Sequence, residues 1–234
     1  MRRLVLASVV LALAVPAPAG AASVQLMVVG KTQVLREAGP VRLKARSVRV
    51  GGRRCAVGRT PLSVLAGTRL KLRLRDYGAC GRSARDAGSL YVRAVAGERA
   101  RGASGWVYKV GHRAGTTGAA DPSGPFGHGR LKRGARVLWF WCAQTGGEAC
   151  QRTLEVSSAG SVAAGGMLAV AVRGYDDNGN GVPVAGATVR LGSATAVTDA
   201  SGVARIVAPA AGRYRLTAEH AAMVRSWPRK VTVA

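Results

Sequence analysis

The chain has 234 residues, and its 35 lysines and arginines against 11 aspartates and glutamates give a net charge of +24 at pH 7. A field of this size attracts anionic polymers and repels copies of the same chain. Arginine outnumbers lysine 29 to 6, a ratio that a biased genome composition produces without selection for a partner. The excess of positive charge therefore reflects either an anionic partner or such a bias. The few, scattered carboxylates exclude a patterned acid–base pair, and the chain contains no G-x-S-x-G elbow.

The first 21 residues have the pattern of a cleaved export signal. Arg2 and Arg3 precede an apolar run over residues 4–15, and Ala19-Gly20-Ala21 supplies a small-x-small cleavage site. A run of about a dozen residues is too short to span a bilayer, which takes about 20. We therefore predict a signal peptide over 1–21, no membrane span after its cleavage, and a secreted or envelope-associated protein.

Residues 22–156 are predicted to form a β-rich domain with one short helix. The helix follows Thr60, whose side chain can cap it, with Pro61 at its first position and Gly67 at its end. Period-two alternation between glycine-rich turns indicates strands at 24–29, 41–50, 69–75, 90–95, 106–110, 136–142 and 152–156.

The four cysteines are more typical of disulfides than of metal ligands or nucleophiles in an exported chain. They lack C-x-x-C spacing, and no histidine lies near Cys55 or Cys80. Four cysteines allow three pairings, and local closure favours Cys55 with Cys80 and Cys142 with Cys150. No metal ion or other cofactor is predicted.

Two segments alternate apolar and basic residues, which predicts strands with a basic outer face. In the first, Val41, Leu43 and Ala45 oppose Arg42, Lys44 and Arg46. In the second, Leu70, Leu72 and Leu74 oppose Arg69, Lys71, Arg73 and Arg75. Such a face is either a solvated surface that discourages edge pairing or a docking surface for an anionic glycan, a teichoic-type polymer, a lipid headgroup or nucleic acid. Aromatics between the charges would favour single-stranded nucleic acid, and these two segments contain none.

Six of the eleven aromatic residues lie between Gly105 and Cys142. The strand at 136–142 is apolar on both faces, so both faces must be covered. The short helix can cover one face, and the other needs the loop over 111–129, the second domain, a partner or a ligand. Either the loop closes on Trp139 and Trp141 as a core, or it leaves a groove for a small ligand or glycan, since aromatic side chains concentrate at recognition sites. The candidate ligand-binding residues are Trp106, Tyr108, His112, Trp139 and Trp141.

Composition changes at residues 157–164, which are predicted to form a linker. Evenly spaced strands then predict a small β-sandwich over 165–234. Within it, Asp176-Asp177-Asn178-Gly179-Asn180-Gly181 has the start of a calcium loop. The twelfth position is Ala187, where such a loop needs a bidentate carboxylate, so a turn between strands is favoured over a metal site.

The second domain resembles carboxypeptidase-regulatory-like and bacterial immunoglobulin-like surface modules, through the segments 183–189, 198–204 and 212–218. The resemblance implies a structural role as a spacer or scaffold.

The first domain resembles the transcobalamin C-terminal-like family of soluble ligand-binding β-grasp domains, through Thr60-Pro61-Leu62 with Leu65 and the segments 105–111 and 131–141. The resemblance implies a β-grasp fold. His112 replaces a common asparagine-glycine hairpin and Gly134-Ala135 a usual glycine-aspartate, so no cobalamin ligand is carried over.

Together these patterns predict a β-dominated protein, a β-grasp-like domain followed by a β-sandwich, that acts as a non-enzymatic binding module. The histidines support this expectation, because His112, His128 and His220 have no patterned carboxylate to orient them. The alternative is a structural surface protein that adheres to an anionic envelope polymer. Oligomeric state is not predicted.

Overall fold

In the computed structural model, β strands dominate the described residues, which are 22–78, 80, 90–144 and 149–234. The predicted signal peptide lies outside these residues. No helix within the described ranges has both the length and the apolar character needed to cross a membrane. The predicted fold class, a β-dominated chain with one short helix, is confirmed.

The first domain is built on a five-stranded mixed sheet. The strands of the whole domain are β1 (Ser23–Val29), β2 (Val34–Arg42), β3 (Ser47–Val50), β4 (Arg53–Ala56), β5 (Leu72–Asp76), β6 (Leu90–Val95), β7 (Glu98–Arg99), β8 (Gly105–Val110), β9 (Arg113–Ala114) and β10 (Arg136–Cys142). The main sheet has the order β2-β1-β10-β8-β9, with β1 parallel to β10 and the other pairs antiparallel. The parallel pair of β1 and β10 lies at the centre of this sheet, and the single helix packs on one of its faces. Two smaller sheets, β3-β4 and β5-β6-β7, complete the domain.

The single helix, α1 (Pro61–Ala66), has the predicted cap. The Ser63 backbone N–H donates to Thr60 Oγ1 at 3.3 Å, and the Thr60 N–H donates to Ser63 Oγ at 3.0 Å. This reciprocal capping box satisfies two backbone donors that the first turn leaves without a partner. Because Leu62, Val64 and Leu65 are fully buried against the main sheet, the cap fixes where the helix enters the core.

Thr60→Ala is expected to lower the free energy of unfolding by about 1 kcal/mol, because the Ser63 N–H loses its acceptor. Urea denaturation measures the change. Thr60→Ser keeps the hydroxyl and is the matched control, so an equal loss in both variants would contradict the capping role.

Both disulfides form as predicted. Cys55 is bonded to Cys80, with their Cα atoms 5.4 Å apart, and Cys142 is bonded to Cys150, with 5.1 Å between Cα atoms. The first joins the β3-β4 hairpin to the chain that follows β5. The second joins the last residue of β10 to Cys150, which shortly precedes the first strand of the second domain.

The second domain is a sandwich of two sheets. Its strands are β11 (Thr153–Ser158), β12 (Ser161–Val162), β13 (Met167–Tyr175), β14 (Gly181–Pro183), β15 (Thr188–Leu191), β16 (Ala194–Val197), β17 (Val203–Val207), β18 (Gly212–Glu219) and β19 (Arg229–Val233). In one sheet β13 pairs with β11, β14 and β17, and the other has the order β12-β19-β18-β15-β16. Alternate residues such as Val170, Leu191 and Ile206 form the buried core between the sheets.

The passage between the domains differs from the prediction. The strand expected at 152–156 as the last of the first domain is β11, which pairs with β13 of the sandwich. Residues of the expected linker, 157–164, continue β11 and form β12. The reason is that Leu154 and Val156 are buried in the second core, which makes β11 an edge strand of the sandwich. The serine-rich residues 157–161 therefore contain the end of β11 and the start of β12, and they do not form a separate connection between the domains.

The strand predicted at 41–50 is also divided. β2 ends at Arg42, although the alternation of buried and exposed side chains continues to Lys44, with Leu43 buried. Ala45 is then exposed and Arg46 is half-buried, which is the reverse of the predicted pattern. The Arg46 guanidinium occupies the space beside Gly67, after the helix. Arg46 therefore does not belong to the outward basic face.

Candidate functional site

The aromatic strand β10 is buried on both faces. Val137, Trp139 and Trp141 face the core under α1. Leu138, Phe140 and Cys142 face a separate cluster to which the second domain contributes Val224 and Trp227. The prediction that a doubly apolar strand must be covered twice is confirmed, and the second domain is the second cover.

The loop over 111–129 closes onto the aromatic side chains instead of leaving a groove. The Trp139 side chain is 1% exposed, and its Nε1 donates to the Pro61 carbonyl at 3.2 Å. The Tyr108 hydroxyl donates to the Thr117 carbonyl at 2.9 Å, and burial raises its pKa. Trp106 Nε1 donates to the Glu98 carbonyl at 2.9 Å. Because these polar atoms are used within the domain, the aromatic block has the character of a core.

The five predicted aromatic-site residues are not brought together. Trp106, Tyr108 and Trp139 line one cavity of about 280 Å³ between β6, β8 and the residues that follow β9. Trp141 borders a different cleft of about 570 Å³, and the Lys31 ammonium lies 4.2 Å from the centre of its ring. His112 borders neither, because its ring stacks on Tyr175 of the second domain with centroids 3.7 Å apart. The five residues therefore do not share one open surface.

A buried lysine holds the two domains together. Lys109 on β8 is fully buried, and its Nζ donates to the carbonyls of Asp176 at 2.8 Å and Tyr175 at 3.1 Å. The Asp177 carboxylate lies 3.3 Å from the same nitrogen. Burial lowers the pKa of Lys109, and the charge of Asp177 opposes that shift. A buried cation is tolerated when it is paired and hydrogen-bonded, and here every partner comes from the second domain.

The loop with a calcium-like pattern supplies these partners. Asp176 Oδ1 accepts from the backbone N–H groups of Asn180 at 2.8 Å and Asn178 at 3.0 Å, which lowers the pKa of its carboxyl. Asp177 accepts the N–H of Cys150, and its carbonyl accepts the N–H of Ala114. The carboxylate of Asp176 is therefore engaged within the turn, and that of Asp177 in contacts between the domains. Within the described ranges, no cluster of three or more histidine, cysteine or acidic side chains is arranged to hold a metal ion.

The second candidate surface is the row of basic side chains beside β5. Leu70, Leu72 and Leu74 pack against the core, as the alternation predicts. The opposite side chains are all exposed, and they are Arg69, Lys71, Arg73 and Arg75. Together with the exposed Arg93 of β6, these four residues are called the basic face below. Arg73 and Arg75 lie on β5, whose register shifts after Arg73, whereas Arg69 and Lys71 precede the strand, which begins at Leu72 and not at 69 as predicted. The four cations follow one another at alternate positions along this segment.

The basic face is not neutralised by neighbouring carboxylates in the part of the chain that the structure describes. Ion pairs there join other residues: Lys109 with Asp177, Arg136 with Glu155, Arg152 with Asp176, Arg215 with Glu37, and Arg225 with Glu219. The nearest acid along the strand, Asp76, accepts the N–H groups of Gly78 and Cys80. The row is therefore positioned to pair with charges from outside the protein.

Two exposed tyrosines border the basic face. Tyr91 on β6 is the direct cross-strand partner of Arg75, and Tyr77 follows β5. Their ring centroids are 6.3 Å apart, and the Arg75 guanidinium lies 4.7 Å from the centre of the Tyr77 ring. Tyr77 is 64% exposed and Tyr91 is 37% exposed. These two residues are called the tyrosine pair below.

The sequence does not reveal the tyrosine pair, because its two residues lie on separate segments of the chain. Part of the signal is present: alternation in the strand at 90–95 places Tyr91 and Arg93 on its polar face. What the sequence could not supply was the register that sets Tyr91 opposite Arg75.

No protein-family model, no curated protein and no solved structure matches this chain.

Proposed function

We propose that this protein is an exported, non-enzymatic binding protein that docks on an anionic polymer through the basic face. The observation that supports this proposal best is the row of exposed arginine and lysine side chains on β5 and on the segment that directly precedes it, outside every ion pair of the described residues. A polymer with repeated negative charges gains affinity from each cation it meets and releases its own counterions.

The uneven distribution of charge supports a partner over a general compositional bias. Residues 22–152 contain 25 lysines and arginines and 6 aspartates and glutamates, whereas residues 153–234 contain 8 and 5. A genome that favours arginine codons acts on both domains alike. The difference is what selection for a positive field on one domain produces, and such a field also speeds the encounter with an anionic partner.

The second domain fits a supporting role in this proposal. It covers the outer face of β10 with Val224 and Trp227 and holds Lys109 through its 176–181 loop. These contacts leave the basic face, which belongs to the opposite side of the first-domain core, free for a polymer. A scaffold that orients the binding domain on a surface would need no catalytic group.

Chromatography of the oxidised mature protein on a heparin matrix tests the proposal. We expect retention that falls steeply as salt rises, because screening and counterion competition weaken the contacts. The control is a thermal-shift screen with neutral sugars and corrinoids at low and high salt. No retention on heparin, together with a salt-insensitive stabilisation by a small neutral ligand, would contradict polyanion binding.

A further inference from the structure

We infer that the polymer bound by the basic face is a single-stranded nucleic acid, with bases stacked on the tyrosine pair. This inference rests on the proposed polyanion binding and adds the chemistry of the partner. Its first support is the exposure of Tyr77 and Tyr91, since the other tyrosines and tryptophans of the first domain are buried. Tyr77 is 64% exposed, and Tyr91, although only 37% exposed, is partly accessible beside the same cations.

The second support is where the rings lie. Tyr91 is directly opposite Arg75 across the β5-β6 pair, and Arg75 also covers one side of the Tyr77 ring. The tyrosine pair therefore lies at the end of the row that runs from Arg69 to Arg75. A chain that follows the row with its charged backbone brings its next unit onto the rings.

Single strands offer both of the groups that this surface can use. Their phosphates pair with arginine and lysine, and their unstacked bases present flat faces to aromatic side chains, whatever the sequence. The Arg75 guanidinium beside the Tyr77 ring adds a second planar group on which a base can stack. A polymer of phosphate alone would use the cations and leave the tyrosines without a partner.

A DNA duplex fits the surface less well. Its bases are stacked within the helix and are reached through the grooves, usually by a helix or a two-stranded ribbon. The β5-β6-β7 sheet packs its other side on the first-domain core through Leu72, Leu74 and Val92, so it does not stand free as a ribbon. The only helix of the described residues, α1, has its apolar side chains in the core. Contact with a duplex would be limited to its phosphates.

Fluorescence anisotropy with two labelled probes of equal length and charge tests the inference. One probe is oligo-dT and the other is the same phosphodiester backbone without bases. The wild-type protein is expected to bind oligo-dT at least tenfold more tightly than the abasic probe. Tyr77→Ala/Tyr91→Ala is expected to weaken oligo-dT binding about 10- to 100-fold, with little change for the abasic probe or in the salt dependence of binding.

Tyr77→Phe/Tyr91→Phe is the matched control, because phenylalanine keeps the stacking face and removes only the hydroxyl. It is expected to bind oligo-dT like the wild type. Far-UV circular dichroism and a thermal melt check that the alanine variant is folded. Equal affinity of the wild type for both probes, or equal loss of both in the alanine variant, would overturn base stacking while leaving polyanion binding in place. Failure of the wild type to bind either probe or heparin would overturn the proposed function itself.

Discussion

Trp139→Ala is expected to lower the free energy of unfolding by about 3–5 kcal/mol, the usual loss for a large aromatic side chain removed from a core. Trp139 lies on β10 at the centre of the main sheet, packs beside Tyr108 with ring centroids 5.4 Å apart, and bonds to the Pro61 carbonyl. Alanine would leave a cavity beneath α1 and a buried carbonyl without its donor. Urea denaturation, followed by tryptophan fluorescence and far-UV circular dichroism, measures the change.

The same substitution separates a core from a binding groove. If the aromatic block is core, Trp141→Ala also destabilises the domain, and neither variant shows a ligand-specific defect while it stays folded. Tyr77→Ala is the control for loss of an exposed ring, and its effect on stability is expected to stay within about 0.5 kcal/mol. A Trp139→Ala protein with wild-type stability would contradict the buried position of this residue.

Replacing Arg69, Lys71, Arg73 and Arg75 by glutamine is expected to weaken polyanion binding about a hundredfold near physiological salt. Each cation that meets a phosphate of a single strand contributes about 0.7 to the slope of log affinity against log salt. The variant is therefore expected to lose up to about 3 from that slope. Its fold is expected to be preserved, because all four side chains are exposed and take part in none of the ion pairs of the described residues.

A matched variant in the second domain shows whether position or total charge matters. Arg190, Arg205, Arg213 and Lys230 are exposed, and their replacement by glutamine removes the same number of charges. It is expected to change affinity only a few-fold, through the long-range field. Equal losses in the two variants would mean that the polymer senses net charge alone and that β5 has no special role.

Much of the fold could be predicted because local chemistry specifies it. The Thr60-Pro61 start fixed α1, alternation placed most strands, and close spacing favoured the two observed disulfides. The alternation beside β5 was also visible from Leu70, Leu72 and Leu74 alone. For these elements, the arrangement that the local sequence favours is also the one that the tertiary structure requires.

The remaining features depend on contacts between distant segments. Arg46 leaves the outward face because Gly67 offers it space, and β11 joins the second sheet because its partner is β13. Asp176 and Asp177 carry a metal-like spacing, yet the 176–181 loop holds Lys109, which is 67 residues away from Asp176. The tyrosine pair is visible only in the β5-β6 register. Sequence periodicity contains no information about which partner a segment meets.

Arginine footprinting with phenylglyoxal is the most direct test of polymer binding at the basic face, because it locates the bound polymer on the wild-type protein. The modified sites are mapped by mass spectrometry with and without a saturating single-stranded oligonucleotide. We predict strong protection of Arg69, Arg73, Arg75 and Arg93, with Arg190, Arg205 and Arg213 modified as in the free protein. Uniform protection across both domains, or protection confined to the second domain, would contradict binding at the basic face.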